Sequence, residues 1–206
     1  MRQLAEINSK YQRRSAEQRG RVDALANTLR VKPATLRMLG AGIDSRGVFT
    51  FPMYDAWWHV VGIRKRASNG RKWAEPGGTN GLFLARGRLV DPVLVCEGPT
   101  DAAAALSMGY SVVGRPQAQG CLDWLVDVLA GHHTIIVADD DGVGQMGART
   151  LAAELFERCP RIQLYTPVGK DLRVMYAAEG ETFIRDAISQ ACAFSYGDML
   201  EVRDEH

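Results

Sequence analysis

The chain has 206 residues, 46% hydrophobic and 24% charged, which is enough apolar material for one large or two small globular domains. No apolar run approaches the roughly 20 residues of a membrane-spanning helix, and the opening "MRQLAEINSKYQRR" lacks the apolar centre of a secretory signal. The formal net charge of +1 conceals an asymmetry: residues 1–90 hold 17 Lys and Arg against 6 Asp and Glu, residues 91–206 hold 8 against 18. Such a split suits a polyanion-binding half joined to a half rich in carboxylates. Cys96, Cys121, Cys159 and Cys192 are far apart and form no C-x-x-C pair, so they read as reduced thiols of a cytoplasmic protein, not as a zinc site or a disulfide framework.

In chain order, residues 1 to about 20 are polar and read as a solvated helix or a frayed arm. "RVDALANTLRVKPATLRMLG" spaces Val22, Leu25, Ala26 and Leu29 helically, breaks at Lys32-Pro33 and resumes through Leu36 and Leu39, predicting a small helical hairpin ending at Gly40. Between Gly42 and Phe83, the runs "GVFTFPM" and "WHVVGIRKR" are separated by turn residues and predict a small antiparallel sheet. Arg64, Lys65, Arg66, Arg71 and Lys72 lie on or beside one hairpin, near Trp57, Trp58 and Trp73, a composition suited to holding phosphates and stacking bases. Asp91-Pro92 reads as a junction. Beyond it "VLVCEG", "SVVGR", "TIIVADDD" and "RIQLYTP" alternate with helical segments, and "ETFIRDAISQACAFS" closes the chain as a last helix, the pattern of βαβ units around a parallel sheet. The expected divisions are a helical segment 1–40, a basic α+β subdomain 41–90 and an α/β domain 91–206.

Ligands of open parallel sheets bind beyond the carboxyl ends of the strands. Three strand ends there carry acids: Glu97, the triplet Asp139-Asp140-Asp141, and Asp171 in "PVGKD". Hard oxygen donors in that number suit Mg²⁺ or Mn²⁺. If the strand continues through the triplet, Asp139 and Asp141 share a face, leaving Asp140 for capping or solvent. An acidic helix N-cap is the alternative use of the same residues.

"VLVCEGPTDAAAALSMGY" followed by "TIIVADDDGVGQMGARTLAAEL" resembles the Toprim domain, the metal-binding module of DnaG-type primases, topoisomerases and some nucleases. Its E-G-x-x-D motif falls on Glu97 and Asp101, its D-x-D motif on Asp139 and Asp141. "FTFPMYDAWWHVVGIRKR" resembles the basic subdomain that precedes Toprim in primases, matching at Pro52, Asp55, Gly62, Arg66 and Lys72, and "GKDL" resembles a primase K-D segment at Lys170 and Asp171. The resemblance spans roughly residues 35 to 180. It implies a Toprim-like open, mainly parallel α/β sheet with flanking helices, preceded by a small basic α+β subdomain. It also implies Mg²⁺ (or Mn²⁺), with Glu97, Asp139 and Asp141 catalytic and Asp101 and Asp171 as further metal ligands. Arg64, Arg66, Arg71, Lys72, Arg115 and Lys170 would contact nucleotide or nucleic acid. The implied activity is primer synthesis on single-stranded DNA from NTPs, with a separate replicative helicase or zinc-ribbon protein as partner and a phage or other mobile element as setting.

The sequence departs from that pattern in three places. Arg173 stands where primases carry another acid, Trp58 or His59 replaces a glycine, and no zinc-ribbon spacing or G-x-x-x-x-G-K-[ST] loop occurs. A Toprim nuclease and a non-catalytic replication accessory remain open. "DDDGV" also fits the haloacid-dehalogenase phosphatase string, which leaves Glu97 without a role; a topoisomerase gate has no room in this length.

Overall fold

The computed structural model describes residues 2–117, 120–169 and 171–204. The polar N-terminal stretch, free of Pro and Gly and rich in good helix formers, is helix α1 (Arg2–Glu17). It is neither frayed nor fully solvated. Leu4, Asn8 and Ser15 are buried, and Tyr11 donates to Glu75 Oε2 at 2.9 Å. α2 (Arg19–Leu29) buries Val22, Leu25, Ala26 and Leu29. α3 (Pro33–Met38) starts on a proline, whose missing N–H is harmless in a first turn.

The first sheet contains β1 (Gly42–Ile43), β2 (Phe49–Tyr54), β3 (Val60–Arg66) and β4 (Lys72–Ala74), antiparallel in that order. Asp55 builds the β2–β3 turn: its Oδ1 accepts from the backbone N–H groups of Trp57 and His59, both at 2.9 Å. Gly62 has no room for a side chain, because a Cβ there would collide with the Thr79 carbonyl oxygen.

β5 (Phe83–Leu84) already belongs to the second sheet, so the sheet boundary lies ahead of the expected junction at Asp91. This sheet is completed by β6 (Val93–Glu97), β7 (Ser111–Arg115), β8 (His133–Val137), β9 (Arg161–Tyr165) and β10 (Cys192–Ala193), in the order β10-β9-β8-β6-β7-β5. The four inner strands are parallel and the two edge strands antiparallel. Residues 93 to 96 are fully buried, as a strand covered on both faces requires.

The connecting helices are α4 (Gly98–Ser107), α5 (Leu122–Leu129), α6 (Gly142–Leu155) and α7 (Leu172–Ser189), with α8 (Tyr196–Asp204) at the end. The last helix expected over "ETFIRDAISQACAFS" is only the second half of α7. Gly180 leaves helical geometry (φ 82°, ψ 176°), and the segment's end turns into β10, paired with β9. From β6 the chain crosses to β7 on one side and then to β8 on the other. The crevice between the ends of β6 and β8 is therefore a topological switch point, where open α/β sheets bind their ligands.

Candidate functional site

Glu97 is the last residue of β6, and Gly98 immediately turns the chain through φ 83° into α4. A left-handed backbone is strained for any residue with a Cβ, so glycine lets Glu97 stand at the strand tip. β8 ends at Val137, two residues before Asp139, so the acidic triplet is a loop and strand alternation does not order it. Gly144 lets α6 start against that loop: a Cβ there would sit 2.8 Å from the Asp139 carbonyl oxygen and 3.0 Å from its nitrogen.

This corrects the expected division of labour within the triplet. Asp141 is the N-cap of α6, its Oδ1 accepting from the Gly144 N–H at 2.7 Å. Asp140 Oδ2 accepts from the Gly169 N–H at 3.2 Å. Asp139 alone of the three lines the cavity beyond the strand ends.

That cavity, about 130 Å³, has Glu97, Asp101, Asp139 and Asp171 in one wall and Arg64 and Lys72 in the other. Asp101 is buried in the first turn of α4 and accepts from the Arg173 N–H at 2.9 Å. Burial and then the charge of Asp171 push its carboxyl up to about 7. Asp171 caps α7, accepting from the Val174 N–H at 2.7 Å, with the Arg173 guanidinium 3.7 Å away. Burial, then Glu97, Asp171 and Asp141, push Asp139 up to about 6. Among the described residues no hydrogen bond engages the carboxylates of Glu97 or Asp139, whereas Asp101, Asp141 and Asp171 are each held by the N-terminus of a helix.

On the basic wall, alternation along β3 points Arg64 and Arg66 to one face and Lys65 to the other. Arg64 lines the cavity, and Lys72 stands opposite Arg66 in register. Burial and the neighbouring Arg173 disfavour the Arg66 charge, while Asp101 and Asp171 favour it, so Arg66 belongs electrostatically to the same cleft.

Lys65 does not belong there. It is buried beneath α1, 2.7 Å from Glu75 and 3.0 Å from Asp44, and those two carboxylates raise its pKa against the effect of burial. Arg71 sits over the Trp73 ring, 5.3 Å from its centroid, outside the cavity. Arg115 is a further correction. At 2% exposure it lies inside the sheet, donating to the Gly147 carbonyl oxygen at 3.3 Å, with Glu97 the leading support for its charge. It stabilises the acidic wall from beneath and does not present itself to a nucleic acid. Lys170 lies outside the described residues.

The donor chemistry is that of a hard divalent cation. Among the described residues no three carboxylates converge closely enough to cage an ion by themselves. Glu97 and Asp139 fit the looser mode of Mg²⁺, which keeps several waters and takes one or two carboxylates together with substrate phosphates.

No family model matches the sequence, and no curated protein matches it significantly. Solved structures do. A DnaG primase catalytic domain bound to ssDNA matches with TM-score 0.70 at 14% identity, covering 92% of this chain and 78% of that one. The E. coli primase catalytic core matches at 0.68 with 15% identity, covering 92% and 79%. The RNA polymerase domain of Mycobacterium tuberculosis DnaG matches at 0.63 with 17% identity, covering 92% and 82%. At such identities the likeness is one of fold: this chain shares the architecture of DnaG-type primase catalytic cores.

Proposed function

We propose that this chain is the catalytic core of a primer-synthesising nucleotidyltransferase acting on single-stranded DNA and NTPs. The observation that carries the reading is the cavity at the switch point, where the uncommitted carboxylates of Glu97 and Asp139 face Arg64 and Lys72. Glu97 and Asp139 would hold Mg²⁺ or Mn²⁺, which supplies positive charge to a triphosphate and acidifies an attacking 3′-hydroxyl. Arg64 and Lys72 hold phosphate oxygens, and Arg66 balances the Asp101–Asp171 end of the cleft. Asp141 and Asp171 fix the starts of α6 and α7, holding Asp139 and the adjoining segment in place. Lys170 is assigned to a phosphate, and Arg71 with Trp73 to the template strand. A separate helicase or zinc-ribbon protein, and a phage or mobile-element setting, complete the proposal.

The test is template-dependent ribonucleotide incorporation with Mg²⁺ or Mn²⁺. Activity in the wild type that disappears in Glu97→Gln and Asp139→Asn supports the reading. A wild type inactive across templates and metals overturns it, as does full activity in both variants. Release of nucleotides from labelled DNA in place of incorporation assigns the same donors to a nuclease.

One observation favours a second reading, a non-polymerising template-binding accessory. Three of the five acids expected at the site are engaged by helix N-termini, and Arg173 lies against Asp171. Metal-dependent oligonucleotide binding without turnover would select it.

A further inference from the structure

The cavities with the largest volumes are not at the acidic edge. One of about 480 Å³ lies among α1, α2 and α3 and includes Arg19, Arg37 and Arg86 in its lining. Another, of about 330 Å³, shares Arg86 with it and adds Arg88. A third shares Ala85, Gly87, Leu89 and Val112 with the second and is closed by Trp58. Together they form one groove that follows the loop after β5. Its floor includes Gly109, Tyr110, Ser111 and Val112, where β7 begins, so it lies at the opposite edge of the sheet from Glu97. A five-residue strand separates the two edges by roughly 15 Å.

Two features define what fits. Four arginines and no Asp or Glu line the groove among the described residues. Arg37 is shared with Asp23 at 2.6 Å, but no ion pair reaches Arg19, Arg86 or Arg88. Guanidinium groups match phosphate oxygens in pairs, which favours phosphodiesters over scattered anions. The second feature is at the Trp58 end, where the β2–β3 turn leaves Trp57 67% and Trp58 45% exposed. Trp58 is held at φ 66°, a left-handed conformation unusual for a bulky residue, by Asp55 accepting from the N–H groups on either side of it. An exposed indole beside a cationic track is a stacking platform for unpaired bases.

We propose that this groove is a second nucleic-acid site, binding the backbone of a single strand along Arg19, Arg86 and Arg88, with bases stacked at Trp57 and Trp58. It works without metal and independently of the chemistry in the acidic cleft. Through it the protein grips a strand at a second point.

The experiment is fluorescence anisotropy of a labelled oligothymidylate in EDTA over a salt series. Arg86→Ala/Arg88→Ala is expected to weaken binding roughly tenfold and flatten the plot of log affinity against log salt by about 1.4, two phosphate contacts' worth for a single strand. Trp57→Ala is expected to cost about fivefold or more. Thermal midpoint and Mn²⁺ affinity should stay at wild-type values. Arg19→Glu, on a different element, reports on the same groove should the double variant fold poorly.

Unchanged affinity and salt slope in all of these variants overturns the proposal. So does loss of binding only in Arg64→Ala/Lys72→Ala. Polyglutamate that displaces the oligonucleotide at equal concentration makes an acidic protein the occupant and also overturns it. A wild type inactive in primer synthesis that still loses oligonucleotide binding with the groove variants retires the catalytic reading and leaves this one standing.

Discussion

Arg173 donates its backbone N–H to Asp101 Oδ1 at 2.9 Å, joining the first turn of α7 to the first turn of α4 inside the acidic wall. The positive end of a helix thereby faces a buried carboxylate, and the Arg173 side chain stands 3.7 Å from Asp171. One end of the cleft is partly compensated by the protein itself. The other end, Glu97 and Asp139, has only buried Arg115 behind it.

Metal-free protein should therefore lose stability as pH rises. The folded-state values of Asp101, about 7, and Asp139, about 6, lie above the unfolded value of about 3.9. The folded state then binds more protons than the unfolded state between about pH 4 and 7, and stability falls across that window. Thermal melts in EDTA at pH 5 and pH 8 should show the lower midpoint at pH 8. Adding Mn²⁺ at pH 8 should raise it, by about 2.7 kcal/mol at a hundredfold excess over Kd. A midpoint independent of pH and of Mn²⁺ would remove the mutual strain among these carboxylates from the account.

The triplet should respond unequally. Asp139→Asn is expected to abolish Mn²⁺ binding, read by electron paramagnetic resonance, with little change in stability. Asp141→Ala loses the cap of α6 and should destabilise by about 1 kcal/mol. Asp140→Asn keeps an acceptor for the Gly169 N–H and should be mild in both measurements. Equal effects at all three positions would contradict the separate roles.

Lys65→Met should be among the most damaging surface-to-core tests. It strands Asp44 and Glu75, whose contacts with Lys65 are 3.0 and 2.7 Å, in a site where the lysine side chain is 10% exposed. Removing one member of a buried ion pair costs about 3–5 kcal/mol, readable as a lower urea midpoint. Asp44 is held below its ordinary value by the Val48 and Arg46 N–H groups and Lys65, against burial. Its contribution is present above about pH 4 and disappears as acid protonates it.

Arg115→Gln should separate folding from binding. The side chain is 2% exposed, so its loss should lower the thermal midpoint while leaving the salt dependence of oligonucleotide binding unchanged. Arg64→Ala and Lys72→Ala should do the reverse, each flattening the salt slope by about 0.7.

The sequence made the parallel sheet legible because its strands are near-continuous apolar runs separated by helices long enough to show a period. It also made Glu97 and Asp139 legible, since both follow such runs. The strands β1, β5 and β10 have two residues each, too few for any periodicity to register. Asp141 was misread because the alternation rule was carried past Val137, where the strand stops. The S/T/D-then-helix signal at Asp141-Gly142 was the better guide. Lys65 was grouped with its neighbours although the alternation of β3 itself separates it from Arg64 and Arg66. Its ion-pair partners could not be read, because Asp44, Glu75 and Tyr11 meet only through the packing of α1 on the sheet. The burial of Arg115 likewise depends on β7 lying between β6 and β5, a fact of strand order.

The facing walls of the switch-point cavity have a consequence for what enters it. A triphosphate arriving alone meets Glu97 and Asp139, and a divalent ion arriving alone meets Arg64 and Lys72. Each is repelled by one wall, and only the pair satisfies both. By linkage, each must raise the affinity of the other by the same factor. The cleft is thus a coincidence detector for the metal–nucleotide complex, discriminating against either component by itself.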